Sequence, residues 1–257
     1  LAGRARAGMS GELRRRAALC CAGLGLLWAF AAAAVIPSAS KISSALAQAN
    51  AAAGRAEPLW LDVVLRIGEG EPAAKGVLTS HPTGLARLEL QSAKGFVERH
   101  LLQGSSYRAS RNGEPLDQPL PFLPPFFLLQ MRSGDALEAA LESFGIANQE
   151  PRLARLGDLD CWVLGARAPA ALAAGDALAT APPAIWIDSE SHAILRIERG
   201  DGVRLDFGPE VAFDRIRVPS WIAIQVPDRP AARLEVQRVS RANAPAAAFG
   251  TQWLSGG

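Results

Sequence analysis

The run Ala184-Ile185-Trp186-Ile187-Asp188, continued by Ile194-Leu195-Arg196-Ile197-Glu198 and Val203-Arg204-Leu205-Asp206-Phe207, decides the fold. Apolar and polar residues alternate in each piece, and the alternation carries on through Ile216 and Val218, then Ile222, Ile224 and Val226, to Leu234 and Val236 before Val239. Successive strand residues face opposite sides, so this period builds consecutive antiparallel strands with one apolar and one wet face. Ser189 to His192 and Gly200-Asp201-Gly202 supply the small, left-handed-tolerant residues that short hairpin turns need. Function is therefore sought in what the apolar face covers.

The same period opens the chain's first half. Leu59, Leu61, Val63, Leu65 and Ile67 alternate with Trp60, Asp62, Val64 and Arg66. Strands are expected near 76–80 and 86–91, with Leu88 and Leu90 on one face of the latter, then at 96–102 and 107–110, before Asn112-Gly113. Five prolines from Pro115 to Pro125 then forbid a regular ladder, and Phe122, Leu123, Phe126, Phe127, Leu128, Leu129 and Met131 form a dense apolar patch. A short helix entered through Pro125 and laid on the sheet accounts for it. A second helix follows, with Ser133 as N-cap, Asp135 and Glu138 near its positive end, an apolar face of Leu137, Ala140, Leu141 and Phe144, and Gly145 as its stop. Strand pattern resumes at 160–167, and an Ala, Pro and Gly-rich connection runs over 168–183. The reading is a mainly β (α+β) domain of about ten or eleven strands with two helices inserted in the middle.

With 257 residues, 49% of them hydrophobic, the chain can bury a sizeable core. Leu1 to Gly8 precede Met9, and the basic run Arg14-Arg15-Arg16 precedes an uncharged stretch from Ala17 to Ile36. That order marks either a secretory leader, with small residues for cleavage at Ser38-Ala39-Ser40 or Ala45-Leu46-Ala47, or an uncleaved inner-membrane anchor. Both put the folded part outside the cytoplasm. The expected division is a leader over 1–47, one domain over 58–249 and a tail over 250–257, with 41–57 either a short helix or a tether. Cys20 and Cys21 fall inside the leader, so Cys161 stands alone in the rest and reads as a small buried strand residue. Residues 1–47 hold six of the 27 basic and one of the 25 acidic residues, so the remainder counts 21 against 24. A net charge of about −3 does not suit a phosphate-binding surface, and no nucleic-acid partner is expected.

The order of elements resembles the periplasmic carriers of outer-membrane lipoproteins, the LolA/LolB-like fold family. The likeness rests on the leader, the meander from Leu59 to Ser110, the Pro and Phe-rich insertion, and the second half through Leu205-Asp206-Phe207 and Arg217-Val218-Pro219. It covers most of residues 58–249 through pattern rather than motif. The resemblance implies a strongly curved antiparallel half-barrel whose concave apolar face is covered by helices. It also implies a non-enzymatic periplasmic protein that shelters acyl chains or lipidated proteins, with donor and acceptor partners at the inner or outer membrane. A regulatory or protein-interaction module of the same shape is the alternative. Hiding ten methylenes from water is worth about 8 kcal/mol, which a curved sheet with an apolar lid can supply. The expected wall is Leu88, Leu90, Leu195, Ile197, Leu205, Phe207, Ile222 and Ile224, and the expected lid is Phe126, Phe127 and Met131.

No cofactor is expected. His81, His100 and His192 share no ligand spacing, so no metal site is expected either. Ser105 and Ser106 lack the nucleophile-elbow pattern, and Asp158, Asp160 and Asp188 sit where solvated turn carboxylates belong. Trp60, Trp162, Trp186 and Trp221 suit either stacking on a ligand or sheet packing, with packing preferred for Trp162.

Overall fold

A computed structural model describes residues 36–146, 150–165 and 182–256 of the protein. The expected leader run up to Val35, Cys20 and Cys21, and all but the last two residues of the connection at 168–183 lie outside the described residues. The first half contributes β1 (Leu59–Ile67), β2 (Ala74–His81), β3 (Leu85–Ser92), β4 (Val97–Gln103), β5 (Ser106–Arg111) and the two-residue β6 (Glu114–Pro115). The second half contributes β7 (Arg152–Leu156), β8 (Leu159–Gly165), β9 (Ala184–Asp188), β10 (Ile194–Glu198) and β11 (Arg204–Phe207). It continues with β12 (Glu210–Phe213), β13 (Ile216–Pro219), β14 (Trp221–Gln225) and β15 (Ala232–Arg241).

Thirteen of these strands form one antiparallel sheet in the order β6-β5-β4-β3-β2-β1-β15-β14-β11-β10-β9-β8-β7, and β12 and β13 form a separate hairpin. The sheet does not close, and the fold is a curved half-barrel with helices on its apolar face. Its strands exceed the ten or eleven expected because β6 has only two residues and β7 and β12 bury no residue, so neither leaves an apolar period to read. The turns behave as their residues require, with Asn112, Gly113, His192 and Gly202 all at positive φ.

Two helices and one 3-10 turn cover the concave side. Helix α1 (Ala39–Ala52) is capped by Ser38, whose hydroxyl accepts from the Lys41 amide. It buries Ile42, Ser43, Leu46, Ala47 and Asn50. Residues 41–52 are therefore helix rather than tether, and the division expected after residue 47 falls inside a packed helix of the unit Pro37–Gly257. The proline-rich insertion forms a four-residue 3-10 turn, Phe126–Leu129, rather than an α-helix, with the ring of Pro125 at its entrance. Helix α2 (Gly134–Ser143) is capped by Ser133 as expected, buries Leu137 and Leu141, and gives way to Gly145 at φ 76°. At its start a Cβ on Gly134 would sit 2.9 Å from Ser44 Oγ, so glycine there lets α2 approach α1. Among the described residues no helix is long and apolar enough to cross a membrane.

One core joins both halves: Leu59, Leu61, Leu78, Leu88 and Leu90 pack with Ile185, Ile187, Leu205, Ile224 and Leu234 beneath Phe126, Phe127 and Leu137. A smaller cluster on the outer face joins Leu101, Ala244 and Phe249. It is covered by two further 3-10 turns, Ala246–Phe249 and Thr251–Ser255, the second of which lies in the expected tail over 250–257.

Candidate functional site

Strand register decides which side chains reach the concave wall. Leu205 and Phe207 pair with Ile224 and Ile222 across β11 and β14, and all four are buried in the core. Leu88 and Leu90, from β3, face the same core. Leu195 does not behave as its alternation implies. The ladder between β9 and β10 runs Ile194 to Ile187 and then Arg196 to Trp186, so a bulge removes Leu195 from the pairing. Ile194 and Ile197 are buried instead, and Leu195 is half-buried. A second irregularity shifts β15, where Val236 pairs with Val63 but Arg238 with Asp62, so the buried series jumps from Val236 to Val239.

The cover is filled by its own side chains. Phe126 and Phe127 are 0% and 1% exposed and Met131 is 9% exposed. Phe127 stacks on Phe144 at the end of α2, 6.3 Å between centroids. What holds this cover in place is polar. Asn50 of α1 donates through Nδ2 to the carbonyl oxygens of Leu128, 2.9 Å, and Met131, 3.0 Å. The Gln130 amide donates to the Glu57 carbonyl at 2.8 Å and accepts from Ser80 Oγ at 2.5 Å. The two Asn50 bonds satisfy cover carbonyls that would otherwise be left unpaired inside the core, and the Gln130 bonds tie the cover to the segment before β1 and to β2.

Asn50 is held in turn by Arg55, whose Nη2 donates to Asn50 Oδ1 at 3.2 Å. Arg55 Nη1 donates to Glu210 Oε1 at 2.5 Å and to the Arg217 carbonyl at 3.0 Å. Arg55 is 2% exposed, and burial lowers its pKa from the ordinary arginine value while Glu210 opposes the shift. Spacing left one readable sign of this assembly: Asn50 continues the buried series 39, 42, 43, 46, 47 on α1, a polar residue on an apolar stripe. Gln130, Arg55 and Glu210 gave no such sign.

His100 also faces the core, its ring edge-on to Phe122. Its Nδ1 lies 2.8 Å from the Tyr107 hydroxyl, which donates to the Leu120 carbonyl. Burial, helped by the charge of Arg111, lowers its pKa to about 4, so it is neutral at ordinary pH. The partner of this imidazole is thus a tyrosine in the wall of the core, and neither Ser105 nor Ser106 bonds it among the described residues. Asp188 accepts from the amides of Glu190 and Ser191 and shapes the β9–β10 turn, and Asp160 makes an exposed pair with Arg155. Cys161 is buried, which raises its thiol pKa. Trp162 packs against the core, Trp186 donates to Glu198, Trp221 lies under Arg233, and Trp60 is exposed. The four tryptophans do not converge on one groove.

No protein-family model matches the chain, and no curated protein matches it in sequence. Solved structures do match it in shape. A LolA superfamily protein from Nitrosomonas europaea superimposes with a TM-score of 0.52 at 10% identity, covering 85% of this chain and 100% of that one. A putative outer membrane lipoprotein-sorting protein domain from Vibrio parahaemolyticus gives a TM-score of 0.51 at 9% identity, covering 84% of this chain and 99% of that one. An open half-barrel of this topology, with its apolar face under helices and a 3-10 cover, has the LolA-like fold.

Proposed function

We propose that the protein is an exported, non-enzymatic carrier that shelters an acyl chain, free or on a lipidated polypeptide, in the periplasm. The observation that carries this reading is the cover: a four-residue turn seals the apolar face of an open sheet and hangs on bonds from Asn50, Gln130 and Ser80. Exposing four large apolar side chains of such a cover costs roughly 6 to 12 kcal/mol. Burying ten methylenes returns about 8 kcal/mol, so cargo and cover are near-equal occupants of one surface. Leu88, Leu90, Ile197, Leu205, Phe207, Ile222 and Ile224 form the wall of this reading, Leu195 its rim, and Phe126, Phe127 and Met131 its lid. In this reading a leader is cut upstream of α1 rather than at Ala45-Leu46-Ala47, where cleavage would remove buried Ile42 and Leu46. Membrane proteins that load and unload the cargo complete the proposed partners.

A regulatory module with a permanently filled core is the second reading, favoured by the burial of Phe126 and Phe127. Native mass spectrometry of protein exported by a bacterial host and purified without detergent, followed by lipid extraction, tests both. A fatty-acyl species near one to one is the outcome expected of a carrier. An apo mass that persists after incubation with phospholipid and with a lipidated peptide sinks the carrier reading and leaves the regulatory one.

A further inference from the structure

A cavity of about 410 Å³ opens where the end of α1, the cover and the β12–β13 hairpin meet. Its size falls within the roughly 300 to 1,000 Å³ of small-molecule sites. Leu129, Ile194 and the bulged Leu195 line one side, and Arg55, Glu210 and Arg217 line the other. Leu129 and Ile194 belong to the core cluster, so the apolar side of this cavity is the edge of the surface that the cover protects.

The polar side is short of acceptors. Arg55 has partners at both terminal nitrogens, but its buried Nε has none. The Arg217 side chain is half exposed, and its Nε lies 3.8 Å from Glu210 Oε2, beyond hydrogen-bond reach. Two guanidiniums thus share one carboxylate, and the cavity carries one uncompensated positive charge beside an apolar wall. An oxyanion in the cavity would supply the acceptor that the half-exposed Arg217 guanidinium lacks, since charged acceptors make the stronger bonds to guanidinium.

We propose that this cavity takes the anionic head group, a carboxylate or a phosphate ester, of a single-chain amphiphile. Arg217 is its main charge partner, Arg55 supports it from beneath, and the first methylenes lie along Leu129, Ile194 and Leu195. The inference rests on the carrier reading and narrows its cargo.

The test is calorimetric titration of exported, detergent-free protein with dodecanoate, dodecyl phosphate and the uncharged monolauroylglycerol, each below its micelle concentration, and with inorganic phosphate alone. The charged amphiphiles should bind at least about tenfold more tightly than the uncharged one. Arg217→Gln should collapse that ratio and Arg217→Lys should keep most of it, with circular dichroism checking that both variants fold. Equal affinity for charged and uncharged chains overturns the proposal and leaves the carrier reading standing. Inorganic phosphate binding as tightly as dodecyl phosphate overturns the amphiphile and leaves a free-anion site. Persistence of the ratio in Arg217→Gln overturns the assignment of this cavity, and failure of every chain to bind overturns the carrier reading as well.

Discussion

The sheet is covered twice by 3-10 turns, and the two covers are built differently. On the concave side Phe126–Leu129 sits over a core drawn from both halves of the sheet, and its bonds come from side chains buried with it, Asn50 and Gln130. On the outer side Ala246–Phe249 and Thr251–Ser255 cover a small cluster of Leu101 and Ala244, with Leu85 and Ala242 at its edge. Their carbonyls are bonded from the sheet: Arg87 to Ala248 at 2.7 Å, Gln103 to Phe249 at 3.1 Å and Ser110 to Leu254 at 2.6 Å. Arg87 and Arg99 also lie over the Trp253 ring. The outer cover is fastened by three side chains of the sheet it hides, whereas the inner one is held twice by Asn50 of another covering element and by a single sheet side chain, Ser80. The inner cover can leave the sheet by breaking one side-chain bond to it, the outer cover only by breaking three.

The largest effect expected from this contrast is at its two phenylalanines. Phe126→Ala should lower unfolding free energy by about 3 to 5 kcal/mol, while Phe249→Ala, with a smaller cluster around it and more room to collapse, belongs at the low end of that range. Urea denaturation of the pair measures this, and equal losses would erase the distinction between the covers. The second effect depends on pH. His100 titrates near 6.5 when unfolded and at about 4 in the fold. Between these values the unfolded chain binds the extra proton, so stability is full above about pH 6.5 and falls by about 3 kcal/mol as pH drops to 4. His100→Asn should flatten this part of the stability profile, and an unaltered slope would mean another group is responsible. The smallest effect is at the fastening itself. Asn50→Ala leaves two cover carbonyls unpaired and should cost about 2 kcal/mol. Limited proteolysis should then cut within residues 120–133 before anywhere in 242–256, and the reverse order would contradict a separable inner cover.

Much of this arrangement was legible in the chain. The alternation at Leu59 to Leu65 and at Arg204 to Phe207 reports true strand faces, because one face of each meets the core and the other is turned away from it, whereas Ile67 at the end of β1 is exposed. Ser133 and Gly145 marked the ends of α2 because cap chemistry is local. Leu195 misled because a bulge inserts a residue without changing the composition that the period is read from. The burial of α1 was hidden by its alanines, which suit a buried helix and an exposed tether equally. The wall was readable as apolar residues, but the polar parts that govern access to it, Gln130, Arg55, Glu210 and Arg217, meet only through contacts between distant segments. Burial also alters an obvious experiment. Leu205 is 1% exposed, so Leu205→Glu would strand a charge in the core and unfold the protein before it reported on a ligand. Leu205→Ala is the usable variant.

The sheet order has a kinetic consequence. Every pairing within the main sheet joins strands consecutive in sequence except two, β11 with β14 and β1 with β15, and only the last bridges the two halves. Residue 59 must meet residue 241 there, closing a loop that spans most of the described chain. Relative to a tight hairpin, that closure costs roughly 3 kcal/mol of additional chain entropy. Each half can zip up locally as a meander, but the half-barrel exists only once this central seam has formed, which makes β1 and β15 the slow step of assembly.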